Sequence, residues 1–279
     1  MIRIITDTGS DIPYLSAGDL GLESIELGVQ FEEFPYDYRD DLDFSVFFDK
    51  LIRAKNLPTT SQVTPGQYME IFEWAKESGD ELVVITLSGG LSGTYSAALM
   101  ALESCDYDGI TVIDSKQCTI TQRMLVEHAV KLRDAGKSRA EIAAEIEDLR
   151  ERVTLVVVLD TLKYLKKGGR VPPTMAFLGE VLNLKPVVTV REGKSEPIGR
   201  ARGFEAGKRM LWAKVEADGL DENWPVYFGY SRDKARGETF LRETREKFGL
   251  GDCPLHPVGG VIGTHGGPNG VAIGYVRKK

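Results

Sequence analysis

Residues 81–104 constrain the fold more than any other stretch of the chain. Glu81-Leu-Val-Val-Ile-Thr-Leu87 is a nearly continuous apolar run, the pattern of a parallel strand covered on both faces. It passes through Ser88-Gly-Gly-Leu-Ser-Gly-Thr94 directly into a helical stretch over 95–104. A strand that turns straight into a helix belongs to a parallel sheet with right-handed crossovers. The same alternation flanks it. Residues 2–6 are a β-branched strand ending in the polar turn Asp7-Thr8-Gly9-Ser10-Asp11. Residues 44–54 have helical apolar spacing, Pro65 suits the first turn of a helix to about 78, and 110–114 is a strand. Residues 117–135 and 138–153 read as helices, the second opening on a Ser138/Glu141 capping box.

These elements predict an α/β fold. The N-terminal domain, 1–153, is a doubly wound α/β/α unit with a parallel sheet and a small β-hairpin insertion near 27–40, where Pro35 interrupts an aromatic run. After residue 153 the pattern changes. Short strands at 154–159, 186–190, 196–199, 226–231 and near Val258 and Val271 mix with helices over 204–217 and 234–248. That predicts an α+β second domain over 154–279, with a ligand cleft between the two.

Charge excludes one class of partner. The chain has 35 basic and 42 acidic residues, a net charge of −7. Its densest basic group, Lys163, Lys166, Lys167 and Arg170, is short and interrupted, so a nucleic-acid footprint is not expected. The N-terminal MIRIITDTGSD lacks a secretory pattern, and the apolar runs are far shorter than a membrane span. Cytoplasmic location without stable membrane insertion is the expectation. Cys105, Cys118 and Cys253 form no CxxC pair and read as reduced thiols.

Four strings could carry chemistry. The 88–94 loop offers free N–H groups at a helix start together with the hydroxyls of Ser88, Ser92 and Thr94, which suits an anion; equally, it reads as a Gly-rich turn with Ser92 as a plain cap. It is neither a P-loop nor a dinucleotide fingerprint, and Thr94 stands where a nucleophile elbow needs Gly. Thr59-Thr60-Ser61-Gln62 supplies neutral hydrogen bonds or mere helix punctuation. His265 sits in the most Gly-rich loop, 262–270, where glycines suggest backbone approaching a ligand; His128 and His256 receive no role, and too few ligands exist for a metal site. Lys166-Lys-Gly-Gly-Arg170, with Arg200 and Arg202 beyond it, is either solvated charge or the holder of an anion or a partner.

Taken together and in order, TDTGSD at 6–11, TTSQ at 59–62, SGGLSGTYSAA at 88–98, DS at 114–115, LKYLKKGGR at 162–170, KP at 185–186 and THGGP at 264–268 resemble the DegV family of fatty-acid-binding proteins, across essentially the whole chain. The resemblance implies a long-chain fatty acid, such as palmitate, held between the domains. Thr60 and Ser92 would bind its carboxylate with His265 completing the network, supported by Ser61, Gly93, Thr94 and Arg170. It further implies no catalysis in this chain and no cofactor beyond the bound lipid; a separate fatty acid kinase subunit would engage near Arg202. The family's His-x-Gly-Pro-Gly loop here ends in Asn269, a residue that tolerates left-handed backbone.

The physics suits such a ligand. A buried carboxylate must be hydrogen-bonded. Burying about 14 methylenes at ~0.8 kcal/mol each gives roughly 11 kcal/mol gross, less about 4 kcal/mol or more for association. Met175, Phe177, Leu178 and Leu182, at helical spacing after Pro173, are candidates for the tail wall, as are Phe31 and Phe34; ordinary core is the alternative for each. The competing activity is a serine hydrolase of acyl esters, with Ser92 as nucleophile and His265 as base.

Overall fold

The computed structural model describes all residues except 42 and 171–182. Four strands, β1 (Ile2–Asp7), β2 (Leu22–Ile25), β5 (Glu81–Thr86) and β6 (Ile110–Asp114), form a parallel sheet in the order β2-β1-β5-β6. Its centre is apolar on both faces: Ile4, Ile5, Val83 and Val84 are wholly buried. Helices α1 (Tyr14–Asp19), α3 (Pro65–Ser78), α4 (Thr94–Ser104), α5 (Thr119–Asp134) and α6 (Arg139–Arg150) accompany it. Pro65 and Ser138, the start signals read from sequence, stand where expected, and α3 adds a capping box of its own. Thr64 and Gln67 cap α3 reciprocally with Pro65 in its first turn, and Ser138 and Glu141 do the same for α6.

The second sheet has six strands in the order β11-β10-β12-β7-β8-β9: β7 (Val153–Val158), β8 (Leu184–Arg191), β9 (Lys194–Arg202), β10 (Tyr227–Tyr230), β11 (Leu255–Pro257) and β12 (Val271–Val276). All its pairs are antiparallel except β10 with β11. Helices α8 (Phe204–Asp218) and α9 (Lys234–Phe248) cover one face. Period-2 alternation along β7 explains both faces. Val156 and Val158 point into the core shared with Leu211 and Phe240 of the covering helices, while Leu155 and Val157 point the other way.

Helix α5 lies between the sheets. Ile120, Leu125, Val126 and Ala129 are fully buried, and the helix touches β1 and β5 as well as β7, β10 and β12. A helix buried nearly all round is what a run such as ITQRMLV needs a second layer to cover.

Two local readings change. The antiparallel ribbon is present, but β3 (Gly28–Gln30) pairs with β4 (Thr59–Ser61) rather than within 27–40. The string read as a loop between helices is thus an extended strand. Its Ser61 side chain lies over β3, where a Cβ on Gly28 would stand 2.3 Å from Ser61 Oγ. The Gly-rich 260–266 stretch is a short helix, α10 (Gly260–Gly266). Its glycines let it rest on aromatic rings: a Cβ at Gly260 or Gly263 would lie 2.9 or 2.7 Å from Phe47 of α2 (Ser45–Arg53). Core packing, not ligand approach, accounts for those two glycines.

Candidate functional site

Three backbone elements bring polar groups to one place. β5 ends at Thr86, and Leu87 leads into the 88–93 loop before α4 begins at Thr94. Ser92 N–H donates to Ser88 O at 3.0 Å, which curls the loop and brings Ser92 to the cavity wall. β4 presents Thr60 opposite Val29 of β3. Helix α10 presents His265 in its last turn. Thr60 Oγ1 and His265 Nε2 lie 3.0 Å apart, and Ser92 Oγ lies 2.9 Å from Thr94 Oγ1.

The groups surround one end of a cavity of about 420 Å³, within the usual range for small-molecule sites. Thr60, Ser61, Ser92, Gly93, Arg170 and His265 all line it. The remaining wall is chiefly apolar, with Leu155 and Val157 from β7, Val188 and Val190 from β8, and Ala272 from β12. A larger groove of about 600 Å³ lies beside β8, but its lining is mostly charged and polar, with ion pairs such as Lys116–Glu151 and Arg191–Glu196. Of these two, the first joins a polar end to an apolar body.

Electrostatics at the polar end favour a bound anion over a resident one. Burial, with the Arg170 charge adding to it, pushes His265 down from 6.5 to about 4, so its ring is neutral at pH 7. Its Nδ1 is buried without a hydrogen-bond partner among the described residues. Arg170 is held in place by its own donors, Nε to Leu91 O at 3.2 Å and Nη1 to Gly168 O at 2.7 Å. Ser195 Oγ donates to Arg170 O at 2.7 Å, and Ser88 Oγ donates to Gly193 O at 2.6 Å. The β8–β9 turn is thereby fastened over the loop.

Most of the residues expected from sequence meet here. Thr94 contacts the cluster only through Ser92 and does not line the cavity. Arg202 lies exposed at the end of β9, away from it. Phe31 and Phe34 are not part of the wall; Phe31 is packed at 5.7 Å from the Phe47 ring in a separate aromatic core. Met175, Phe177, Leu178 and Leu182 lie outside the described residues. Sequence reading missed Leu155, Val157, Val188 and Ala272, because strand residues facing a cavity carry the same alternation as strand residues facing a core. Asn269 does take a left-handed conformation, φ 65°, and its N–H donates to Ser231 O at 2.7 Å.

Residues 1–278 match the family described as "Uncharacterised protein, DegV family". The chain belongs to the DegV family. A DegV domain-containing protein of Caldanaerobacter subterraneus subsp. tengcongensis is 31% identical over 281 residues, covering 99% of each chain. Among solved structures, a fatty-acid-binding DegV family protein from Thermus thermophilus superposes with a TM-score of 0.86 at 30% identity, covering 99% of each chain. A stearic-acid-binding protein from Eubacterium ventriosum reaches 0.89 at 25% identity, covering 100% of this chain and 99% of its own. DegV relatives of this architecture therefore bind fatty acids.

Proposed function

We propose that this DegV chain binds a long-chain fatty acid such as palmitate, its carboxylate at Thr60, Ser92 and His265 and its tail in the apolar body of the cavity. One observation carries the reading: a single cavity gathers the Thr60 and Ser92 hydroxyls, a neutral imidazole and Arg170, while most of its remaining wall is apolar, with strand-borne Leu, Val and Ala. The hydroxyls and imidazole can hydrogen-bond a carboxylate, and Arg170 supplies a cationic side chain to the cavity wall. The apolar wall supplies affinity roughly in proportion to the methylenes it takes up. The DegV relatives solved as fatty-acid-binding proteins support a fatty acid as the ligand.

In this reading the cleft lies between lobes 1–153 and 154–279. The chain is a cytoplasmic, non-catalytic carrier with no cofactor. It presents the carboxylate to a separate kinase subunit that docks near Arg202. Hydrolysis fits the site less well. His265 Nε2 faces Thr60 rather than Ser92, and no carboxylate orients its Nδ1 among the described residues. The test is the Thr60→Ala, Ser92→Ala double variant, purified under native conditions and extracted for lipid. Loss of a co-purifying fatty acid from a folded protein supports the assignment. Wild-type lipid content in the double variant refutes the carboxylate site, and labelling of Ser92 by a fluorophosphonate would restore the hydrolase.

A further inference from the structure

The TDTGSD string contributes no side chain to the cavity wall, yet Asp7, Ser10 and Asp11 are at most 1% exposed. Burying two carboxylates is costly, and Asp11 adds a left-handed backbone, φ 54°. Resting on the fatty-acid reading above, we infer that the Asp7–Asp11 turn is the positioning element of the carboxylate site, tying together the three walls that carry Ser92, Thr60 and His265.

Two of the three walls are tied by hydrogen bonds and the third by contact. Asp7 Oδ2 accepts from Leu87 N–H at 2.7 Å, at the root of the loop that carries Ser92. Its other oxygen accepts from Gly9 N–H at 2.9 Å and from Gln122 Nε2 of α5 at 3.1 Å, so both oxygens are committed. Thr8 Oγ1 accepts from Leu27 N–H at 3.0 Å. Leu27 lines the cavity and leads into β3, whose pairing with β4 sets the place of Thr60. Asp11 packs against the start of α10, where a Cβ on Gly259 would come within 2.7 Å of its Oδ1; its carboxylate oxygens have no hydrogen-bond partner among the described residues. Thr60 and His265 meet at 3.0 Å only while β4 and α10 hold these places. One short turn thus reaches the elements that carry Ser92, Thr60 and His265 without itself lining the cavity.

The substitutions follow from donor and acceptor counting. Asp7→Asn sets an NH2 against a main-chain N–H that cannot reverse. Thr8→Val removes the acceptor while keeping the shape. Thr8→Ser keeps the acceptor. Leu149→Ala, in α6 and not on the cavity wall, serves as a control for lost stability alone. Palmitate affinity is measured by calorimetry on full-length, delipidated protein, alongside Tm. The expected result is affinity weaker by roughly tenfold in Asp7→Asn and Thr8→Val, the equivalent of one buried group left unsatisfied. Thr8→Ser binds as wild type, and Leu149→Ala keeps its affinity despite a lower Tm. Should Asp7→Asn not fold, the Thr8→Val and Thr8→Ser pair decides. Wild-type affinity in the folded variants, or equal weakening in Leu149→Ala, overturns the inference alone. Wild-type protein that takes up no palmitate overturns the fatty-acid reading and the inference with it.

Discussion

Gly168→Ala isolates the geometry of His265 from the stability of the fold. Gly168 follows α7 (Lys163–Lys167) with φ −78° and ψ −5°, a conformation alanine adopts without strain. In the unfolded chain alanine is the stiffer residue, which favours folding by about 0.4–1 kcal/mol. The added methyl, however, would stand 2.0 Å from His265 Nδ1 and 2.7 Å from Cε1. Ordinary contact begins near 3.4 Å, so ring or helix must give by about 1.4 Å. A shift of that size breaks the 3.0 Å approach of Nε2 to Thr60 Oγ1. Leaving such a group misplaced costs about 1–3 kcal/mol, a loss of roughly 5- to 150-fold in affinity. Calorimetric titration of delipidated protein with palmitate measures it, with thermal unfolding run in parallel. Weakened binding with Tm little changed is the expected result. In a His265→Ala background, the same substitution should have almost no further effect on affinity. Wild-type affinity for Gly168→Ala would refute the placement of His265 in the carboxylate site.

Other outcomes follow from the same structure. Because His265 is pushed down to about 4, the unfolded chain binds a proton that the folded chain refuses between about pH 4 and 6.5. Stability therefore rises with pH across that window, by up to about 3 kcal/mol from this group. His265→Gln should flatten that component of a Tm-against-pH curve; an unchanged slope contradicts it. Asp7 and Asp11, raised by burial to about 6 and about 7, act with the opposite sign, their stabilisation being lost as pH rises, so the comparison is variant against wild type. Ala272→Leu fills part of the apolar wall and should shift co-purifying lipid toward shorter chains, each excluded methylene weakening binding about fourfold. An unchanged chain-length profile by mass spectrometry counts against Ala272 as tail wall. Arg202→Glu should leave palmitate affinity unchanged while lowering phosphorylation of the bound acid by a kinase subunit; equal phosphorylation removes Arg202 from that contact.

What could be read in advance follows from how local each signal is. The 81–104 unit announced itself because an apolar strand, a glycine turn and a helix follow one another without interruption, and the Pro65 helix start and the Ser138 capping box are likewise local. β4 was hidden because its partner, β3, is some thirty residues away and only three residues long. α10 was hidden because its glycines suggest a loop until Phe47 and Phe48 are seen beneath them. At the site, the polar residues were legible as motif positions, whereas Leu155, Val157, Val188 and Ala272 were not. Whether a strand residue faces core or cavity depends on what stands opposite, here α5, α10 and the 88–93 loop, and no property of the strand itself records it.

The central claim is that one fatty acid occupies this cavity. Native mass spectrometry of the purified chain, followed by denaturing analysis of what is released, tests it most directly. The account predicts a mass excess matching one long-chain fatty acid per chain, lost on denaturation and identified in the released fraction. A chain that carries no lipid and takes up no added palmitate would contradict it.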